Sequence, residues 1–463
     1  MTIDLATRLA ELLDEHKAPG GAVALYRDGA IVDSAHYGVA NLETGVEVDD
    51  RTLFHIGSNT KVFNTTLLLQ CVEDGLLDLD APVQQYLPDF TLADAAAAKH
   101  VTVKSLVNHS SGIDCDMYEQ PEYDCDRVID GYHQILGAPS LFRAGEGHAY
   151  SNGATLVAGH LVQVVRQRGW YELVKERIFN PLEMANAIAH PLDGYRFRYA
   201  KGHVSNPETG VVEPSTAAFL PLGMAPAGAT LSMTAVDQAK FAAAHLRDGL
   251  GLNGARILSE ASAQLMRTIT SSVTVGGFTS SFGLGWGVGA NGIVRHAGAG
   301  IGTAAQIILH VPSGTALSVM SNADVGMNAI SALAGEFLRG EFDIDPMGHY
   351  QPVPEQPDLA LPVDKIVGRY ASAVAWWGIG HKDGKFVLSG GPCKDGVPNF
   401  DVAEFGDVPM VPLDETSFMA KPDAPEKLGG FGMFMSMPVG VGGEENGQYQ
   451  QFLAGTRVYK RIG

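Results

Sequence analysis

The sequence predicts an α+β fold: an antiparallel sheet drawn from both ends of the first three quarters of the chain, a helical domain between them, and a small all-β barrel at the end. Three observations predict it. Alternating apolar runs cluster near residues 20–45 and return at 283–321, with helical spacing in the interval between. A stretch at 343–358 with four prolines then interrupts every pattern, and beyond it come only short alternating runs with frequent glycine.

Element by element, residues 1–16 carry Ile3, Leu5, Leu9, Leu12 and Leu13 on one helical face and acids on the other. Gly20–Tyr26 and Ile31–Tyr37 flank Arg27-Asp28-Gly29, whose Asp-Gly pair signals a tight hairpin. After Phe54-His55-Ile56-Gly57-Ser58, residues Val62, Leu67, Leu68, Leu69 and Val72 predict a helix. Further helices are expected near 102–109, 127–136, 152–168 and 170–178, and a closing helix near 325–339. Strands are expected at 283–288, 292–296, 304–311 and 316–321.

Composition narrows the function classes. Across 463 residues, 45% are hydrophobic and 18% charged, enough apolar material for a large core. A formal net charge of −20 disfavours nucleic acid and anionic membrane as partners, since both require clustered Lys and Arg. The N-terminal stretch lacks the basic start and unbroken apolar run of a secretory signal, so a cytoplasmic protein is expected. Four cysteines, Cys71, Cys115, Cys125 and Cys393, are too few for a disulfide scaffold. Cys115 and Cys125 lie among acids without the Cys/His spacing of a zinc site, so no metal and no cofactor are expected.

The chemistry concentrates in three short motifs. Ser58-x-x-Lys61, the one such spacing in the chain, places a hydroxyl at a helix start and an amine one turn later on the same face. A serine hydroxyl needs a base to become nucleophilic, and a lysine serves only where its surroundings lower its pKa. Tyr150-x-Asn152 is likewise unique, and His296-Ala297-Gly298 opens a glycine-rich loop directly after a strand.

These motifs, in this order and at these separations, resemble the serine β-lactamase and penicillin-binding superfamily, in its class C-like branch of D-aminopeptidases, D-peptidases and esterases. Leu106–Ile113 and Pro226–Asp237 are similar to segments flanking the motifs in that family. The resemblance covers about residues 15–340 and implies a β-lactamase-like hydrolase domain over 1–342, a linker over 343–359 and a lipocalin-like barrel over 360–463. It implies Ser58 as nucleophile, with Lys61 accepting or relaying its proton and Tyr150 in the same relay. A cationic Lys61 beside the phenol would favour its anionic form. Asn152, His296, Gly298 and Ala299 would bind substrate, the backbone N–H groups of Ser58 and Ala299 forming the oxyanion site.

Histidine at 296, where β-lactamases usually carry lysine, disfavours strong β-lactamase activity, because a neutral ring attracts a substrate carboxylate poorly. The expected activity is therefore hydrolysis of a small amide or short peptide, D-residues included. A carboxylesterase or transesterase acting on short acyl esters is the alternative, and a catalytically silent binding or sensor module is the rival from another class. Homo-oligomerisation is left open. The glycine-rich segment 438–447 reads as a solvated hairpin loop; the alternative is a mobile segment that reaches the cleft, with Glu444 and Glu445 attracting an amino terminus.

Overall fold

The computed structural model describes residues 3–114, 128–206, 209–217, 220–345, 350–373, 375–394, 397–398, 403, 405–423 and 437–462. A nine-stranded antiparallel sheet forms from β1 (Gly20–Arg27), β2 (Ala30–Asn41), β3 (Val46–Glu47), β4 (Ser271–Val275), β5 (Phe278–Phe282), β6 (Gly287–Val288), β7 (Ile293–Gly300), β8 (Thr303–His310) and β9 (Thr315–Ser321). Its order is β3-β2-β1-β9-β8-β7-β6-β5-β4, so the two ends of the first domain meet where Val23 of β1 lies opposite Val319 of β9. The predicted hairpin is present, with both Asp28 (φ 52°) and Gly29 (φ 86°) in the left-handed region that a type I′ turn requires.

One face of this sheet is covered by α1 (Leu5–Glu15) and α5 (Gly326–Phe342), whose Leu9, Leu13, Leu333 and Phe337 pack with Val23, Leu317 and Val319. The other face, including Ala22, Ile307 and Met320, supports the larger core shared with α2 (Thr60–Glu73), α3 (Asn152–Arg166) and α4 (Ala235–Leu246). Every residue of α2 from Thr60 to Cys71 is buried, which is why its sequence lacks a polar stripe. The helix expected at 102–109 is a single 3₁₀ turn, Lys104–Leu106, and the one expected at 170–178 runs from Trp170–Val174 into a π-helical turn, Lys175–Phe179. Sequence periodicity missed the hairpin β4–β5, because Ser271–Phe282 carries hydroxyls on both faces rather than an apolar alternation.

Beyond the linker, eight strands close into an antiparallel barrel: β10 (Gly368–Ala371), β11 (Ala375–Lys382), β12 (Lys385–Lys394), β13 (Phe405–Pro412), β14 (Ser417–Ala420), β15 (Val439–Glu445), β16 (Gln448–Ala454) and β17 (Arg457–Arg461). Pairing of β11 with β12 completes the ring. Aromatic side chains fill it, with the Trp377 ring 5.2 Å from that of Phe452 and 5.7 Å from that of Tyr459. The segment 438–447 is mostly strand β15 rather than a mobile loop, and Glu444 is held by Lys365 of the same domain at 2.7 Å. The run 431–436 and the cysteine-flanked acidic loop with Cys115 and Cys125 lie outside the described residues. Among the described residues, no helix is long and apolar enough to cross a membrane.

Candidate active site

The site begins where a short strand, Phe54–His55, ends and a 3₁₀ turn, Gly57–Asn59, leads into α2. Three backbones converge there, and only glycine permits it. A Cβ on Gly298 would lie 2.0 Å from the Ile56 carbonyl oxygen and 2.7 Å from the Ser58 nitrogen. One on Gly57 would lie 2.6 Å from both N and O of Ala299, and one on Gly228 would lie 2.9 Å from the Ser58 nitrogen. The sequence-predicted pair Ser58 and Ala299 is thus brought together by their backbones, and the exposed Ala299 lies along the part of β7 that extends past β6.

Lys61 is 2% exposed, with Nζ donating to Ser58 Oγ at 3.0 Å and to the Ala227 carbonyl at 2.6 Å. Burial, aided by the positive charge of Arg457, holds its pKa well below the usual lysine value. The shift favours the neutral amine that a general base needs; in that form one N–H stays on Ala227 and the contact with Ser58 runs the other way, Oγ–H donating to the Nζ lone pair.

Tyr150 hydrogen-bonds to Ser58, and its ring lies 4.9 Å from Lys61 Nζ. Burial pushes its pKa up despite that hydrogen bond. This runs against the expectation that a cationic Lys61 favours the anionic form of Tyr150: burial disfavours the charged form of both groups. The arrangement suits Tyr150 to donate a proton.

His296 joins the same pocket, its ring 6.4 Å from that of Tyr150. Its Nδ1 donates to the Ala297 carbonyl at 2.8 Å, leaving Nε2 as a buried acceptor with no hydrogen-bond partner among the described residues. Burial, and secondarily Lys61, pull its pKa down to about 3, so the ring is neutral. Asn152 is buried as the first residue of α3, directly after the N-cap Ser151, whose Oγ accepts from Ala154 N at 3.0 Å.

Two participants escaped the sequence reading. His109, in the left-handed region (φ 63°), lays its ring 4.4 Å from that of Tyr150 and accepts the Ser151 N–H through Nδ1 at 3.3 Å. In the sequence its segment reads only as a flank of the motifs, and no pattern there points to ring contact. Arg457 comes from the barrel: its guanidinium donates to the Tyr150 carbonyl at 3.0 Å and lies 4.9 Å from the ring centroid, while the Thr456 carbonyl accepts the Tyr150 N–H at 2.8 Å. The barrel therefore does reach the site, but through the turn between β16 and β17 rather than through 438–447.

A serine held between a low-pKa amine and a phenol, at a confluence of backbone donors, defines a serine hydrolase of the acyl-enzyme type. The family model described as Beta-lactamase matches residues 5–337, and the chain belongs to the beta-lactamase family. It is 32% identical over 343 residues to penicillin-binding protein 4 of Amycolatopsis lactamdurans, across 72% of this chain and 88% of that protein. Among solved structures it resembles SurE, with 24% identity and a TM-score of 0.79 over 99% of this chain and 98% of that one. It also resembles the D-amino acid amidase from Ochrobactrum anthropi SV3, with 24% identity and a TM-score of 0.59 over 73% and 98%. These two structural likenesses concern the fold.

Proposed function

We propose that the protein cleaves a small amide or short peptide, substrates with a D-residue on the acyl side included, through an acyl-enzyme on Ser58. The observation that carries this reading is the 3.0 Å contact between Ser58 Oγ and a buried Lys61 whose pKa is depressed. Ser58 Oγ adds to the carbonyl carbon as its proton passes to Lys61 Nζ, and the resulting oxyanion is stabilised by the N–H groups of Ser58 and Ala299. The C–N bond breaks as Tyr150 protonates the departing nitrogen, and the phenol is recharged from Lys61. Water then adds to the acyl carbon, giving a proton to the relay; the bond from that carbon to Ser58 Oγ breaks as the relay returns the proton to Oγ, and the carboxylic acid leaves. Asn152, His296 and Gly298 line the substrate side, with His296 Nε2 available to accept a hydrogen bond from the substrate.

The neutral state of His296 supports a second reading, a carboxylesterase or transesterase on short acyl esters. An ester leaving group departs with less help from a proton donor, so the same residues suffice. The aromatic filling of the barrel weighs against the silent binding module, since a ligand there would have to displace packed rings. D- and L-aminoacyl anilides and nitrophenyl esters, assayed with wild type and Ser58→Ala, test these readings. Turnover of esters alone removes the amidase reading, and a folded protein that gives no fluorophosphonate adduct on Ser58 removes the hydrolase mechanism. The partner proposed is a small-molecule or short-peptide substrate, and light scattering tests homo-oligomerisation.

A further inference from the structure

Strand alternation turns Arg295 to the face of β7 opposite His296 and Val294. There it borders a cavity of about 270 Å³ whose lining includes Ile269, Thr279, Ser280, Phe282 and Val288. Arg8, Arg27, Arg166 and Arg267 each meet a carboxylate. Arg295 does not: among the described residues its partly buried guanidinium has no ion pair and no side-chain hydrogen bond. Among the described residues burial alone acts on its pKa, drawing it down, and no carboxylate opposes that. A shielded cation without a counter-charge is unfavourable, and a guanidinium fork matches the two oxygens of a carboxylate. Phe282, Ile269 and Val288 offer apolar walls beside that fork, while Thr279 and Ser280 offer hydroxyls.

We infer that this cavity is a carboxylate-binding site, anchored by Arg295, for a group that carries its carboxylate on an apolar body. It adjoins the catalytic cluster through one shared wall. The Phe282 ring lies 4.9 Å from that of His109, 5.1 Å from that of His148 and 6.4 Å from that of Tyr150. The carboxylate belongs either to the substrate or to a separate small acid, and the two sources give different kinetics.

The test is calorimetric titration of the full chain with phenylacetate at neutral pH, beside phenylacetamide and inorganic phosphate. Wild type binds phenylacetate saturably, Arg295→Gln binds it about tenfold or more weakly, and Arg295→Lys falls between. Phenylacetamide does not distinguish the three proteins. Equal phenylacetate binding by wild type and folded Arg295→Gln overturns the site, as does an unsaturable wild type. Tighter binding of phosphate than of phenylacetate overturns the carboxylate assignment. If the Gln variant does not fold, the Lys variant carries the comparison.

Binding survives in Ser58→Ala, and Arg295→Gln still labels with fluorophosphonate, so failure of this site and failure of the hydrolase mechanism are told apart. A final arm rests on the hydrolase reading. If the carboxylate is the substrate's own, Arg295→Gln raises KM for nitrophenyl hemiglutarate about tenfold and leaves nitrophenyl butyrate unchanged. If it is a separate acid, phenylacetate alters turnover of both esters in wild type and of neither in the variant.

Discussion

Arg457 grips Tyr150, 307 residues earlier in the chain, donating to its carbonyl oxygen at 3.0 Å while the guanidinium lies 4.9 Å from the ring centroid. The same charge opposes protonation of Lys61. One barrel residue thus holds Tyr150 and helps keep the Lys61 pKa down. Arg457→Ala is expected to lower kcat/KM by about tenfold to a hundredfold, in the range of a lost positioning contact. Removing a nearby cation lets the Lys61 pKa rise, so the acid limb of the kcat/KM profile moves to higher pH. Arg457→Lys restores most of the pH profile but less of the rate. An unmoved acid limb in Arg457→Ala would contradict the electrostatic part of this account.

Lys61→Met and Tyr150→Phe separate base from acid. Each is expected to cost about 10² to 10⁴ in kcat for an amide. For a nitrophenyl ester the Tyr150→Phe loss shrinks, because the leaving group needs little protonation, whereas the Lys61→Met loss remains. Equal losses on both substrates would assign Tyr150 a different task.

Gly298→Ala tests the meeting of backbones at Ser58. The added Cβ would lie 2.0 Å from the Ile56 carbonyl oxygen, with only main chain to yield. Destabilisation of about 1–3 kcal/mol or more is expected from overpacking of this kind, read as a lower melting temperature. Activity falls further than stability does, since β7 is pushed from the Ser58 amide. Gly45→Ala, at a glycine with nothing within 4 Å of a built Cβ, has only its left-handed φ of 66° to contend with and leaves activity unchanged.

Acid stability follows from buried histidines. Burial draws His55 and His148 down to about 4 and His245 and His296 down to about 3, against an ordinary value of 6.5. Between those folded values and 6.5 the unfolded chain binds more protons, so their contribution is complete above about pH 6.5 and is lost as pH falls toward 4. Asp114, raised by burial to about 6 from 3.8, works in the opposite sense over that window, since its folded form takes up the proton first. Four groups outweigh one. The melting temperature should drop on going from pH 7 to pH 4, and less steeply in His245→Gln. A melting temperature that rises with acidification would refute the balance.

The local signals in this chain were strong where one short stretch carries its own reason. An Asp-Gly pair set the β1–β2 turn, one apolar stripe set α1, and a unique Ser-x-x-Lys located the pair that the structure holds in hydrogen-bond contact, because spacing along a helix fixes which side chains share a face. Tyr150, Asn152 and His296 were legible as motifs. Their roles depend on burial, which a sequence does not display, and burial opposes the anionic form of the tyrosine that a cationic neighbour would favour.

The sequence by itself determined the α+β body and the strand-rich tail, and it singled out the residues proposed for the reacting centre. Only tertiary structure decided that the barrel turn 455–457, rather than 438–447, meets Tyr150, that His109 stacks on it, and that Arg295 faces a cavity with no counter-charge among the described residues. The physical reason is range. Periodicity and capping are set by neighbours within a turn or two, whereas desolvation and ring contact depend on segments hundreds of residues apart brought together by the packed cores.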